Sequence, residues 1–405
     1  HNAAGFGVDV RHIAFDAMIA DYLLNAIRPA TTLQQTFERH LGTLQASAAL
    51  LFPLRERMRT LLEQQSMTSL YDDMELPLSG VLYHMECEGF RVDDTVLLQM
   101  QSQFETRAGE LASEIYTQAG ETFNILSPKQ LGTVLFEHLK LPPQRKTKSG
   151  YSTDADTLDR LAPLHPVVRL IQEYRFLTKL KSTFVDGLLA ARAPADGRVR
   201  TRFQQCVTAT GRISSTEPNL QNIPVRTALG REIRKAFVAS EGNVLIGADY
   251  SQIELRILAH LSEDDGLIEA FRSGEDVHRH TASEVFGVPL DSVTAEMRSA
   301  AKAVNFGIVY GISDFGLARN TGLSRKEAAA FIERYFARYP GVRRFMDAAV
   351  AEGKALGYAR TIFGRRRPLP ELSSSNHNVR AFGERAAMNT PVQGAAADII
   401  KRAMI

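Results

Sequence analysis

Asp249 stands at the junction of two patterns. The apolar run Val244-Leu-Ile-Gly-Ala248 ends on it, and Ile253, Ile257, Leu258 and Leu261 follow at helical spacing. A short apolar run followed by a helical period predicts a buried strand, a tight turn and a helix. A carboxylate at a strand end can face solvent while its backbone stays in the ladder, and hard cations prefer carboxylate oxygen. A plainer reading stands beside this one. Ser251 and Glu254 have the spacing of a capping box, and acids after strands more often cap a helix or turn than bind metal.

Arg298, Lys302, Phe306 and Tyr310 fall every fourth residue on a helix predicted from Thr294 to Tyr310. That spacing lines them up in one slowly winding stripe, cations at one end and rings at the other. Neighbouring cations on a helix repel by a few tenths of a kcal/mol, a cost an anion between them would remove. A nucleoside triphosphate, with phosphates at one end and sugar and base at the other, matches the whole stripe. A solvated cationic turn followed by two core aromatics matches it equally well. A third segment, Thr208 to Pro224, gathers Arg212, Asn219, Gln221 and Asn222 in a turn-rich context. Such donors suit the minor groove of a duplex, where every base pair offers acceptors. A polar Asn/Pro loop is the ordinary alternative.

These groups need a frame. A chain of 405 residues is too long for one small core. Its 44% hydrophobic and 23% charged composition is that of a globular protein. Lys+Arg 48 against Asp+Glu 46 is nearly balanced, so a nucleic-acid partner cannot be argued from net charge. Cys87 and Cys206 lie far apart, which argues for a reducing compartment and against a zinc site or disulfide framework. No apolar run approaches the roughly 20 residues of a membrane span, and residues 1–7 lack the features of a signal peptide. There is no Gly-x4-Gly-Lys-Ser/Thr loop and no His-Glu-x2-His pair, which sets aside P-loop ATPases and zincins.

Residues 1–70 are a mixed block whose helical pattern is interrupted around Arg28-Pro29, and a long helical region begins over 75–115, with a turn and short strand at Glu88 to Asp93. Residues 121–190 are helical around an exposed tip at Pro142 to Gly150, which carries Lys146 and Lys148. Residues 196–250 read as strands, and 251 onward as helices with turns near Gly287, Tyr339 and Phe363. A strand-rich centre between helical blocks predicts an α+β fold.

Ala248-Asp-Tyr-Ser-Gln-Ile-Glu-Leu-Arg256 resembles motif A of the family A DNA polymerases. Arg298-x3-Lys302-x3-Phe306-Gly-x2-Tyr310-Gly resembles their motif B, and Thr208 to Pro224 their primer-side segment. The resemblance runs in the family's order from about residue 74 to Ile405. It implies a right-hand polymerase fold and the joining of deoxynucleotides to a primer 3′ end. It implies two Mg2+ ions, with Mn2+ as a substitute, as cofactors. Primer-template DNA and dNTPs are the implied partners, and a bacterial, cytoplasmic, nucleoid-associated monomer the implied setting.

Residue by residue, the resemblance makes Asp249 and the Tyr250 carbonyl metal ligands. Glu254 becomes the group that excludes a 2′-hydroxyl while still capping its helix, and Gln252 a neighbour of the nascent base pair. Arg298, Lys302 and His278 become triphosphate contacts, with Lys302 a proton donor to pyrophosphate. Phe306 would pack on the sugar and Tyr310 in the template-base position. Arg212, Asn219, Gln221 and Asn222 would grip the minor groove. Arg385, Asn389 and Gln393 would form the template-side helix, bent or broken at Pro391. Lys146 and Lys148 would meet phosphates.

The implied domains are an inactive 3′-5′ exonuclease-like remnant (RNase H-like) at 1–70, a palm at 71–92 and 190–297, a thumb at 93–189, fingers at 298–396 and a returning palm segment from 397 to 405. Two departures stand out. The family's second metal carboxylate, in a His-Asp-Glu motif, has no counterpart before Ile405, and Asp398 is not accepted in its place. A fragment that binds primer-template and dNTP without completing chemistry is therefore the alternative expectation, and an RNA polymerase of the same fold a weaker one. The acidic motifs of a working exonuclease are also missing from 1–70, where Leu44 to Phe52 occupies the place of the expected Tyr-x3-Asp element.

Overall fold

The computed structural model describes residues 13–405 apart from 46, 144–145, 148–149, 226 and 275. The chain forms two compact units. One comprises His1–His84, Phe203–Ser214 and Gly247–Ile405, the other Met85–Arg202 and Ser215–Ile246.

The first unit is almost wholly helical. Its N-terminal part is α1 (Ala17–Leu24) with helices Leu33–Leu41 and Leu51–Gln64. Asp16 caps α1 by accepting from the amides of Met18 and Ile19. Tyr22, Phe37, Met58, Leu62 and Tyr71 fill the space between the helices. A π-helical turn, Tyr71–Glu75, leads out of this block. A second core gathers α2 (Ile253–Ser262), α3 (Val277–Phe286) and α4 (Ala295–Val309) with helices Arg325–Arg338 and Pro340–Leu356. The long α5 (His377–Met404) closes it with Val392, Ala395 and Ala396.

Helix α4 matches its expected span to within a residue. The Thr294 side chain accepts from the Met297 amide and opens it, and Ala300, Ala301, Val304 and Ile308 form its buried face. At its end Gly311 takes φ +64, a backbone that disfavours side chains, against Cγ of Arg385.

In the second unit, helix Asp94–Ala119 starts on an Asp93 cap and stops at left-handed Gly120. Leu97, Phe104 and Leu111 bury its inner face with Leu177, Leu180 and Phe184. The expected short strand is present: Phe90–Arg91 pairs antiparallel with Arg198–Val199. The expected exposed tip is a two-rung hairpin, Lys146–Thr147 against Gly150–Tyr151.

Three expectations need correction. The strand-rich centre is absent among the described residues; strands are two or three residues long and the fold is mixed and helix-dominated. Residues 243–250 have no regular structure, and Val244, Leu245 and Ile246 are 77%, 53% and 88% exposed. Strand backbone is buried only when neighbours take up its N–H and C=O groups, and no described strand pairs with this run. The capping box at Ser251–Glu254 does not form: α2 has no side-chain cap, and its first turn begins from Gln252 at φ +55. A true capping box sits at Ser324 and Glu327. Of the bend or break expected at Pro391, the break does not occur: α5 is one helix through it. The ring removes one N–H from the ladder, while Thr390 Oγ1 donates to the Ala386 carbonyl 2.6 Å away.

Candidate active site

Asp249 and Tyr250 lie on the exposed segment before α2. The left-handed backbone of Gln252, costly for a residue with a side chain, turns the chain into the helix and points Glu254 inward, 8% exposed. Its two oxygens are divided. Arg212 Nη2 lies 2.5 Å from Oε1, and the Tyr310 hydroxyl donates to Oε2 at 2.9 Å. This long-range pairing is why Glu254 leaves its own helix start uncapped. Burial, then the Glu254 carboxylate, raise the Tyr310 phenol above its ordinary pKa, against a smaller downward pull from Arg212 and from Gln393 of α5. Residues from the primer-side segment, α2 and the end of α4 thus meet in one relay.

The stripe on α4 is real, but its cations are not equivalent. Arg298 is already paired, with Nη2 2.6 Å from Asp276 Oδ2. Asp276 also caps α3 through the amides of His278 and Arg279. Burial would raise its carboxyl, but Arg298 and those amides hold it below the usual range. Lys302 is exposed one turn on, followed by half-buried Phe306 and by Tyr310, 39% exposed. The anion expected between the two cations is in part supplied from within.

His278 is buried, 3% exposed, with its ring 5.6 Å from that of Phe306. Asn305 Nδ2 donates to its Nδ1 at 3.0 Å, so the ring proton sits on Nε2. Burial, then the nearby cations Arg298 and Lys302, lower its pKa to about 4 against the pull of Asp276. At neutral pH it is an uncharged support under Phe306.

On α5, Arg385 is exposed, and Asn389 has a buried Oδ1 without a hydrogen-bond partner. Asn219, Gln221 and Asn222 belong to the other unit from Arg212. There the Asn219 side-chain oxygen accepts from the amides of 221 and 222, and Gln221 Oε1 from that of Ser215. Lys146 lies in its hairpin, and Lys148 outside the described residues.

Among the described residues no group of three His, Cys, Asp or Glu side chains could hold a metal ion. An exposed carboxylate with an adjacent carbonyl nevertheless fits Mg2+, which takes one or two carboxylates and completes its shell with water and substrate phosphates. It does not fit a metal caged by protein alone.

Residues not singled out from sequence form a buried charge network behind the site. The hairpin Tyr358–Arg360/Arg366–Pro368 drives Arg365 inward, 2% exposed. Its guanidinium meets Asp398 at 2.7 Å and Glu75, and Lys401 Nζ lies 2.7 Å from Glu75. Gln205 Nε2 and Thr361 Oγ1 complete the set. Asp398, rejected above as a metal ligand, is fully occupied here. Burial alone would raise the Glu75 carboxyl, but Arg365 and Lys401 bring it down to about 2.

The structure superposes on the POL domain of Pol1 from M. smegmatis, solved in complex with DNA primer-template and dNTP. The TM-score is 0.91 and the identity 45%, over 99% of this chain and 72% of that one. The sequence model of DNA polymerase family A matches residues 94–405. The chain is 50% identical to DNA polymerase I of Geobacillus stearothermophilus over 98% of its length and 49% of the relative's. With that of Caldicellulosiruptor bescii it is 51% identical over 96% and 47%. The chain belongs to DNA polymerase family A, whose members use divalent metal ions, generally Mg2+. It spans about half the length of the curated relatives it matches. No helix among the described residues is long and apolar enough to cross a membrane.

Proposed function

We propose that the chain carries the template-directed DNA polymerase activity of a bacterial replication and repair enzyme, a monomer working in the cytoplasm at the nucleoid. The observation that carries this reading is the relay Arg212–Glu254–Tyr310, which joins the primer-side segment to the ring end of the cationic stripe. Such a relay lets one buried carboxylate sense the primer terminus, the sugar and the template-base position together.

In this reading Asp249 and the Tyr250 carbonyl hold Mg2+, with Mn2+ as a substitute. Two ions, when bound, stabilise the attacking and leaving oxygens of the phosphoryl transfer. The protein's own share is positioning and charge. Lys302 meets the triphosphate and donates a proton to the departing pyrophosphate. Arg298 does so while braced by Asp276. Phe306, backed by neutral His278, packs on the sugar, and Gln252 borders the new base pair. Glu254 leaves no room for a 2′-hydroxyl. Arg212, Asn219, Gln221 and Asn222 contact the duplex minor groove, Arg385, Asn389 and Gln393 the template, and Lys146 and Lys148 phosphates. Residues 93–189 form the thumb, 71–92 and 190–297 the palm, and 298–396 the fingers. Residues 1–70 are an exonuclease-like remnant with a structural role.

Primer extension tests the reading, on the gene's full product and on this chain beside it. Extension should require template, dNTPs and Mg2+. Asp249→Asn should lower it on the order of 10³-fold, the several kcal/mol a Lewis acid supplies, with primer-template affinity retained. An Asp249→Asn enzyme extending at near-normal rate would sink the assignment.

A further inference from the structure

Among the described residues, a hydrogen bond joins the N-terminal block to the primer-side segment. Tyr22, on α1 and 0% exposed, donates its hydroxyl to the Thr208 carbonyl at 2.7 Å. The Thr208 hydroxyl in turn donates to the Arg212 carbonyl at 2.6 Å, closing the turn that presents Arg212. Beneath the turn, Gly211 has φ +89, and a Cβ there would lie 2.6 Å from Arg365 Nε. The turn therefore rests flat on a guanidinium that Glu75 and Asp398 hold still. Gly394 of α5 completes the seat: a Cβ there would come 3.3 Å from the Thr210 carbonyl and 2.5 Å from Thr361 Cγ2.

We propose that Tyr22, acting through Thr208, is a positioning residue for Arg212, so that the N-terminal block serves as a buttress of the primer grip. The inference rests on the polymerase reading above, because it takes Arg212 to be a DNA contact. Its physical basis is the side-chain entropy of an arginine. Arg212 is about half exposed and reaches Glu254 with one end of its side chain, so where it reaches from is set by its backbone, and that backbone is clasped at Thr208 from one side and by Arg365 from below. Tyr22 is the group that fixes the Thr208 carbonyl from the N-terminal block. A merely space-filling tyrosine would need no acceptor, but a buried phenol without one is costly. The hydroxyl and the carbonyl thus specify each other.

The test is a double-mutant cycle read by DNA binding. Fluorescence anisotropy gives the affinity of the chain for a labelled 3′-recessed primer-template and for a blunt duplex of equal length. The proteins are the unaltered chain, Tyr22→Phe, Arg212→Ala and the pair. Tyr22→Phe keeps the ring and should weaken recessed-end binding by about threefold to tenfold, the effect of one hydrogen bond. In the Arg212→Ala background the same change should do nothing further, because the tyrosine acts through that arginine. Thr208→Val, which removes the other side of the clasp, should behave alike, and it carries the test if Tyr22→Phe fails to fold. Singles whose effects multiply in the double, or a Tyr22→Phe protein that binds like the unaltered chain, would overturn the positioning role. An unaltered chain that does not distinguish recessed from blunt ends would overturn the polymerase reading itself, and the positioning role with it.

Discussion

Replacing Arg365 by methionine keeps most of the side-chain volume and removes one buried positive charge. Two carboxylates lose a charged partner: Asp398 at 2.7 Å and Glu75, both 0% exposed. Each charge-assisted hydrogen bond is worth about 1.5–3 kcal/mol, and breaking a buried pair costs about 3–5 kcal/mol. Lys401 remains against Glu75, so the cost of one broken pair applies, about 4 kcal/mol. Native domains have about 5–15 kcal/mol in all, so the variant should fold and be visibly weakened. The chain has no tryptophan, which makes circular dichroism in urea the direct probe. At a slope of about 2 kcal/mol per molar, the transition of the first unit should move by about 2 M, while that of the second unit stays put.

Acid supplies a second reading of the same change. In the unaltered protein Glu75 titrates at about 2, below its ordinary 4.5. Its contribution is therefore complete above the unfolded value and is lost as pH falls through the folded one. Without Arg365 the Glu75 carboxyl loses the first of the charges that hold it down, and it takes up its proton in the folded state at higher pH. The stability gap between the two proteins should be widest near neutrality and close on acidification. A urea midpoint that does not move at pH 7, or a gap that widens in acid, would refute the ledger of charges drawn here.

Two further outcomes follow from the site. By NMR, the His278 ring should titrate near 4, held down by its burial; a folded-state pKa depressed below the unfolded 6.5 means stability is lost as pH falls from 6.5 toward 4, and a midpoint above 6 would contradict the buried, Asn305-bonded ring. Gly211→Ala places a methyl against the Arg365 guanidinium at positive φ, so it should cost about 1–3 kcal/mol of stability and weaken primer-template binding; a variant as stable as the parent in urea would show that the turn does not rest on Arg365.

The stripe on α4 was legible because helical spacing alone determines which side chains share a face. Thr294 and the alanine-rich buried side set its limits almost to the residue. The run 244–248 misled because apolar residues specify a buried strand only when a neighbour covers them, and a neighbour is not a local property. Ser251–Glu254 misled for the same reason. The capping spacing was right, but Glu254 has stronger partners 42 and 56 residues away. The charge network was unreadable as a set, since Arg365 and Lys401 lie 290 and 326 residues from Glu75. A signal for half of it was present: Asp398 and Lys401 stand three apart at the end of an alanine run, where charged side chains face the core only when paired.

Pro391 gives α5 an uneven mechanical character. The helix lacks one rung there, and a missing rung makes bending cheaper at that level than elsewhere along the rod. Below it, Asp398 and Lys401 are bolted into fixed charges. Above it, Ala386 and Ala387 pack against Leu369 and Leu372, and Glu384 pairs with Lys354. The rod is thus held at both levels by different means, charge below the proline and apolar packing above it, with its weakest rung between them.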